Sequence, residues 1–256
     1  MPLVTLISDY GWSDFYVALL KASILSRIGE VSFIDISHNI AAHDIMEASF
    51  YMRSSYDHFP SKSIHICAVN VHYSKDSYLV VLRKDDHFFI GPNNGLFSLV
   101  FDDVEDADIL AVQSINQDGL DARNAITSCV EVALGMNENI LSIPLSFELE
   151  RKINLQPVIT SNQIRATIIH IDHFGNVIVN LNASTFEEVR KDRSYAIYYK
   201  SSDPVIRISK IYSDVPVGDV CIFFNSIRML EIAINMGNAH QLLGLNKNET
   251  IQINFY

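Results

Sequence analysis

The stretch VTLISDYGWSDFYVALLKASILSRI, residues 4–28, decides the class of fold. Its opening run, Val4 to Ser8, is short, apolar and rich in β-branched side chains, which predicts a buried strand. From Asp14 to Ile28 the spacing becomes helical, with Phe15, Leu19, Leu20 and Ile24 on one face. Between the two, Ser8-Asp9-Tyr10-Gly11 leaves the strand at its carboxyl end. Further on, Val31 to Ile36 predicts a second strand, Asp44 to Tyr56 a second helix and Ser63 to Val69 a third strand. Such alternation predicts an α/β fold with a mostly parallel sheet flanked by helices, and ligands bind in the loops at the carboxyl ends of such strands.

Tyr78 to Leu82 and His87 to Ile90 read as hairpin strands, and Ala122 to Gly135 as a helix ending at a glycine. Residues 137–163 carry turn residues and weak periodicity, including Pro144 and Pro157, and are the expected boundary. Beyond it come short apolar runs separated by turn signals: Ala166 to Ile171, Asn176 to Leu181, Tyr195 to Tyr199, Val205 to Tyr212, Val220 to Phe224 and Thr250 to Asn254. They predict a small β-barrel or sandwich. The expected organisation is an N-terminal α/β domain over 1–150 and a smaller C-terminal β-barrel domain over 164–256.

The 256 residues carry a formal net charge of −11 and no basic run, which argues against a nucleic-acid or acidic-membrane partner. No stretch of about 18 apolar residues is present to span a membrane, and the acidic residue soon after the first apolar run does not suit a signal peptide. Cys67, Cys129 and Cys221 are far apart in apolar stretches and read as buried free thiols, which suits a cytoplasmic protein. The histidines His38 and His43, or His65 and His72, form no ligand motif with a carboxylate, so no metal site is expected.

Several loops carry candidate chemistry. Asp9 offers a carboxylate to a ribose diol beside a permissive Gly11, although an Asp after a strand also serves as a turn former or N-cap. Asp172-His173-Phe174-Gly175-Asn176 offers an aromatic face with acceptors and donors on either side of it. Tyr212 is either a second aromatic face or an ordinary core or surface residue. Gly91-Pro92-Asn93-Asn94-Gly95-Leu96 is a turn on physical grounds alone.

Taken together, Ser8-Asp9-Tyr10-Gly11-Trp12-Ser13-Asp14, Asp35-Ile36-Ser37-His38, the Asn93-Asn94-Gly95-Leu96 turn, Asp172-His173-Phe174-Gly175-Asn176 and Asn225-Ser226 with Leu230-Glu231-Ile232-Ala233 resemble the S-adenosyl-L-methionine hydroxide adenosyltransferases, relatives of the fluorinases and chlorinases. The resemblance runs from Thr5 to about Ile253. It implies a ligand, S-adenosylmethionine or adenosine, with no further cofactor. It places Asp9 at the ribose, Asp14 near the methionine end unless it caps the helix, and Asp172, Phe174, Asn176, Tyr212, Asn225, Ser226 and Asn235 around the ligand. Arg228 stands where the family has glycine, and either fills part of the pocket or turns outward. A homotrimer is also implied.

The same resemblance exposes a break. The family activates water with an Asp, an Arg and a His; the matching positions here are Asn70, Ser77 and Asp121. A carboxamide orients water but takes no proton from it. His72, Asp76 and Asp121 are the available substitutes. Two readings stay open: an S-adenosylmethionine hydrolase-like enzyme forming adenosine and methionine, and a non-catalytic protein that binds the same ligand.

Overall fold

The computed structural model describes residues 1–72, 77–101, 103–114, 122–136, 147–200 and 204–256. They form two compact units, Met1–Asn154 and Leu155–Tyr256. The first runs β1 (Leu3–Ser8), α1 (Tyr16–Ile28), β2 (Ser32–Ser37), α2 (Ile45–Arg53), a 3₁₀ turn at Tyr56–His58, β3 (Ile64–Ala68), β4 (Tyr78–Lys84), β5 (His87–Pro92), α3 (Leu96–Val100), β6 (Asp108–Ser114) and α4 (Ala122–Ala133). Its sheet has the order β2-β1-β3-β5-β4-β6. β1 pairs parallel with β2 and β3, β3 pairs parallel with β5, and only β4 runs against its neighbours.

Alternation along β1 and β3 sends side chains to both faces. Val4, Leu6, Ile64, Ile66 and Ala68 join a core with Leu20 and Ile24 of α1 and Ile126, Cys129 and Val130 of α4. Ile7 and Cys67 join Ala48 and Met52 of α2 and Leu96 and Phe97 near α3. Helices thus cover both faces, as a mostly parallel sheet requires. The strand order also reverses its direction of winding around β1: α1 leads from β1 to one side, and α2 returns the chain to β3 on the other. Crevices open at the carboxyl ends of strands where this happens.

Helix α1 begins at Tyr16, two residues later than its periodicity predicts. Its N-cap is Phe15, with no side-chain cap, so Asp14 is an exposed loop residue and caps nothing. The buried face is Val17, Leu20 and Ile24, whereas Phe15 is 62% and Leu19 37% exposed. α2 is capped as its sequence suggests, Asp44 Oδ1 accepting from the Glu47 N–H at 2.9 Å.

The second unit contains β7 (Val158–Ile159), β8 (Gln163–Ile171), β9 (Val177–Asn182), α5 (Ala183–Arg190), β10 (Tyr195–Tyr198), a 3₁₀ turn at Tyr212–Asp214, β11 (Val220–Phe224), β12 (Met229–Ile234), α6 (Ala239–Leu243) and β13 (Thr250–Phe255). All its pairings are antiparallel, in the order β10-β13-β8-β9-β12-β11 with β7 against β8. The sheet curls as a half-barrel around Phe186 of α5 and the alternating aliphatic residues of β8, β9, β12 and β13.

Val205 to Tyr212 is not a strand, despite its β-branched content. Only Val205 pairs, in an isolated bridge with Ile197. The later N–H groups form no continuous ladder: Ser209 donates to Ile222 O of β11 at 2.7 Å, but its neighbours turn to side chains, Ile208 to Tyr195 Oη at 3.0 Å and Lys210 to Asp214 Oδ2 at 2.6 Å. The Asp214 carboxylate gathers the chain into a turn before a second ladder forms.

One buried polar chain ties β1, β3 and β5 together. Thr5 Oγ1 lies 2.7 Å from His65 Nδ1, and His65 Nε2 lies 3.1 Å from His87 Nδ1. His65 is fully buried and its ring stacks on Phe89. Desolvation, reinforced by His87, pulls the His65 pKa from 6.5 down to about 3. An unfolded chain takes up that proton near its ordinary pKa, and the folded chain does not until about pH 3, so acid favours unfolding throughout that window. The slope expected from His65 alone is up to about 1.4 kcal/mol per pH unit. Urea unfolding should therefore show a midpoint that falls between about pH 7 and pH 5; an unchanged midpoint would contradict the burial of a neutral His65.

Candidate functional site

The first unit builds its candidate site where β1, β2 and β3 end. Asp9 follows β1, and its Oδ2 accepts from the backbone N–H of Asn70, just beyond β3, at 3.1 Å and of His43, beyond β2, at 3.0 Å. Both donors sit at positive φ, 55° for Asn70 and 67° for His43. Loops bent this way turn their N–H groups inward, and bonds to a charged acceptor compensate the strain. The Asp9 side chain stays about one-tenth exposed and the His43 ring stacks on His72 with centroids 5.9 Å apart.

Beneath this loop lies a Ser-His-Asp arrangement. Ser8 Oγ is 2.7 Å from His38 Nδ1, His38 Nε2 stands 3.1 Å from Asp35 Oδ1 off the line of a hydrogen bond, and Lys21 Nζ donates to Asp35 Oδ2 at 2.6 Å. It is not a nucleophile site: Ser8 and His38 are each 1% exposed, and the Trp12 ring meets His38 edge-on at 4.6 Å. Burial holds the His38 pKa below its ordinary value, against the opposing pull of Asp35. The set braces the 8–12 loop against β2, helped by the Gly11 N–H donating to His38 O at 2.8 Å.

At the family's water-activating positions, Asn70 and Ser77 lie in the described structure, while Asp121 and the substitute Asp76 lie outside the described residues. Asn70 Oδ1 is buried and accepts no hydrogen bond among the described residues. Such an orphan costs roughly 1–3 kcal/mol and marks functional sites. Ser77 is half-buried before β4, and His72 is exposed.

The second unit builds its candidate site on the β8–β9 turn. Asp172 Oδ1 accepts from the N–H groups of Phe174 at 2.9 Å and Asn176 at 2.8 Å, while Oδ2 accepts from Asn176 Nδ2 at 3.0 Å. Gly175 has φ +82°, and a Cβ there would lie 2.2 Å from the Asn238 side chain. Asn238 is itself fixed as the N-cap of α6, so this turn has room for glycine alone. The result presents the Phe174 ring outward at 73% exposure and keeps Asn176 buried.

Tyr212 connects this turn to β12. Its ring packs edge-on against Phe223 at 4.8 Å, and its hydroxyl donates to Glu231 Oε1 at 2.7 Å while lying 3.4 Å from Asn176 Nδ2. Asn225 Nδ2 donates to Glu231 Oε2 at 3.1 Å. Burial raises the Glu231 pKa, opposed by these two donors and assisted by nearby Asp172; burial and the Glu231 charge push the Tyr212 phenol up as well. Asp172, Asn176, Tyr212 and Asn225 are therefore drawn into one network. Asn235 is not part of it, since its Nδ2 donates to Val215 O at 2.8 Å, and Ser226 is exposed. Arg228 turns outward, at a φ of 62° that keeps the left-handed bend a glycine would adopt freely.

Glu231 belongs to the motif segment Leu230-Glu231-Ile232-Ala233, but the sequence alone did not assign it the role of joining Tyr212 and Asn225. The signal was present: a lone carboxylate inside the apolar strand Leu230-Glu231-Ile232-Ala233-Ile234 points to a buried charge, and buried charges need donors. Among the described residues no three His, Cys, Asp or Glu side chains gather as metal ligands, and no helix is long and apolar enough to cross a membrane.

Comparison with known proteins gives this geometry a context. Residues 4–130 match the SAM hydroxide adenosyltransferase N-terminal domain, and residues 166–252 its C-terminal domain. The chain is 25% identical to an (R)-S-adenosyl-L-methionine hydrolase of Methanocaldococcus jannaschii, over 99% of this chain and 96% of that one. It is 23% identical to a fluorinase of an Actinoplanes species over 91% of each. A solved structure of an uncharacterized conserved protein from Thermotoga maritima superimposes with a TM-score of 0.80 at 21% identity, covering 99% of both chains.

Proposed function

Because the chain belongs to the SAM hydroxide adenosyltransferase family, we propose that it is an S-adenosylmethionine hydrolase-like protein whose ligand frame is kept and whose water-activating set is replaced. In this reading Asp9 and Asp14 meet the ribose and methionine end, and Asp172, Phe174, Asn176, Tyr212, Asn225, Ser226 and Asn235 surround the rest of S-adenosylmethionine or adenosine. The observation that carries the reading is the pair of pre-formed turns at Asp9 and Asp172, each fixed by backbone donors before any ligand arrives.

The chemistry asked of the protein is modest. A sulfonium is already an excellent leaving group, so the site must hold a water in line with the ribose 5′ carbon–sulfur bond and raise its basicity. Asp9 retains Oδ1 for a ribose hydroxyl, since both backbone donors bind Oδ2. Asn70 Oδ1, without a hydrogen-bond partner among the described residues, is an acceptor suited to orienting a water O–H. It has no useful proton affinity, and loss of a general base costs about 10²–10⁴ in rate. Ser77 supplies neither the permanent charge nor the forked donors of an arginine. The same observation favours a second reading, a non-catalytic S-adenosylmethionine or adenosine binding protein.

Adenosine release from S-adenosylmethionine separates the two. Wild type should turn over slowly or not at all, and the Asn70→Asp, Ser77→Arg, Asp121→His triple variant should gain more than the three single changes combined, because residues acting as one unit are non-additive. Turnover by wild type equal to that of the triple variant would show that another base, His72 or Asp76, does the work. The proposed setting is the cytoplasm, without nucleic acid or membrane. The proposed assembly is a homotrimer, since the proposed ligand-facing residues are divided between the two halves of the chain and the family resemblance implies that arrangement. Light scattering should read three copies of the 28.9 kDa chain; a stable monomer at micromolar concentration would contradict the trimer.

A further inference from the structure

The polar network of the second unit has a fixed sense. Asn225 Oδ1 accepts the Met229 N–H at 3.1 Å, so its amide nitrogen is the end that faces Glu231. With a donor on Oε2, Glu231 accepts the Tyr212 hydroxyl hydrogen bond on Oε1. The Tyr212 oxygen, its proton committed, then stands toward Asn176 as an acceptor. Asp172 can only accept in its ionised form, and its Oδ2 meets the same Asn176 nitrogen at 3.0 Å. Turning the Asn176 amide over would set its oxygen against a carboxylate on one side and, on the other, a phenol oxygen whose O–H points to Glu231. Among the described residues, Asn176 Oδ1 accepts no hydrogen bond from the protein, and it is not among the buried orphans.

We propose that Glu231 and Tyr212 are positioning residues which, with Asp172, hold both N–H groups of the Asn176 amide inward and its carbonyl oxygen outward, so that this part of the site takes a ligand N–H or O–H and rejects a group that can only accept. The consequence for ligand choice rests on the reading of this turn as part of an S-adenosylmethionine or adenosine site. The orientation itself does not. Glu231 never touches the ligand in this scheme; it acts through Tyr212, whose proton it claims.

The test has one arm without ligand and one with it. In ¹⁵N-labelled free protein, both Asn176 side-chain amide protons should exchange slowly with water, and Tyr212→Phe, which keeps the ring against Phe223, should release one of them. Calorimetry then compares adenosine with four analogues, each lacking one donor: purine riboside and 2′-, 3′- and 5′-deoxyadenosine. One analogue should bind wild type about tenfold to a hundredfold more weakly than adenosine. That penalty should shrink in Tyr212→Phe and in Glu231→Gln, which remove one of the two groups that hold the amide while Asp172 keeps the other. Amide protons that exchange as fast in wild type as in Tyr212→Phe would overturn the proposal, as would analogue penalties that are equal in wild type and both variants. Should adenosine fail to bind wild type, the proposed ligand class falls, and the exchange measurement still decides the orientation.

Discussion

A carboxylate at the mouth of a parallel sheet must find donors, and the way Asp9 finds them organises the first unit's site. The strand order turns over at β1, so the segments that follow β2 and β3 come to either side of the one that follows β1. Asp9 closes that crevice by collecting a backbone N–H from each, His43 from one and Asn70 from the other. Charge-assisted bonds of this kind are worth roughly 1.5–3 kcal/mol each. That is enough to hold His43 and Asn70 in left-handed backbone conformations that side chains other than glycine adopt at a cost of about 1–3 kcal/mol. The brace of Ser8, His38, Asp35 and Lys21 fixes the same loop from below. Loop positions are thus set before a ligand enters, which reduces the ordering that binding would otherwise require.

The second unit solves the same problem locally. Asp172 captures the N–H groups of its own turn, Gly175 supplies the positive φ, and the close approach of Asn238 leaves no room for a side chain there. What makes this turn more than a hairpin connection is its coupling to a buried carboxylate on β12. Glu231 gathers Tyr212 and Asn225 from separate segments, and through Tyr212 it reaches Asn176. Buried, satisfied networks of this type act as a unit, so a change at any member is felt at the others.

Much of this was legible in the sequence, and the exceptions share a cause. β1, β3 and the β4–β5 hairpin follow from short apolar runs rich in β-branched side chains and bounded by turn residues, too short for a buried helix. The turns at Asp9 and Asp172 were legible as candidates only through the family resemblance, because an Asp after a strand also serves as a turn former or N-cap. Periodicity misjudged α1, where Phe15 and Leu19 are apolar yet exposed, since spacing reports a face and not what covers it. It misjudged Val205 to Tyr212 because β-branched content is outweighed there by side-chain acceptors, Tyr195 and Asp214, that claim the N–H groups. Glu231 was legible as part of a motif segment but its role was not, because its partners Tyr212 and Asn225 lie 19 and 6 residues away and only folding shows that they converge on it.

The central claim is that the ligand frame persists while the proton-accepting side chain has gone. Crystals of the wild-type protein soaked with S-adenosylmethionine at neutral pH test it most directly, because the density shows in one observation whether the ligand is held and whether its ribose 5′ carbon–sulfur bond is broken. The account predicts an intact sulfonium against Asp9 and the Asp172–Asn176 turn. An empty site would contradict it, as would adenosine and free methionine lying apart in crystals frozen within minutes of meeting the ligand, a time too short for turnover without a general base.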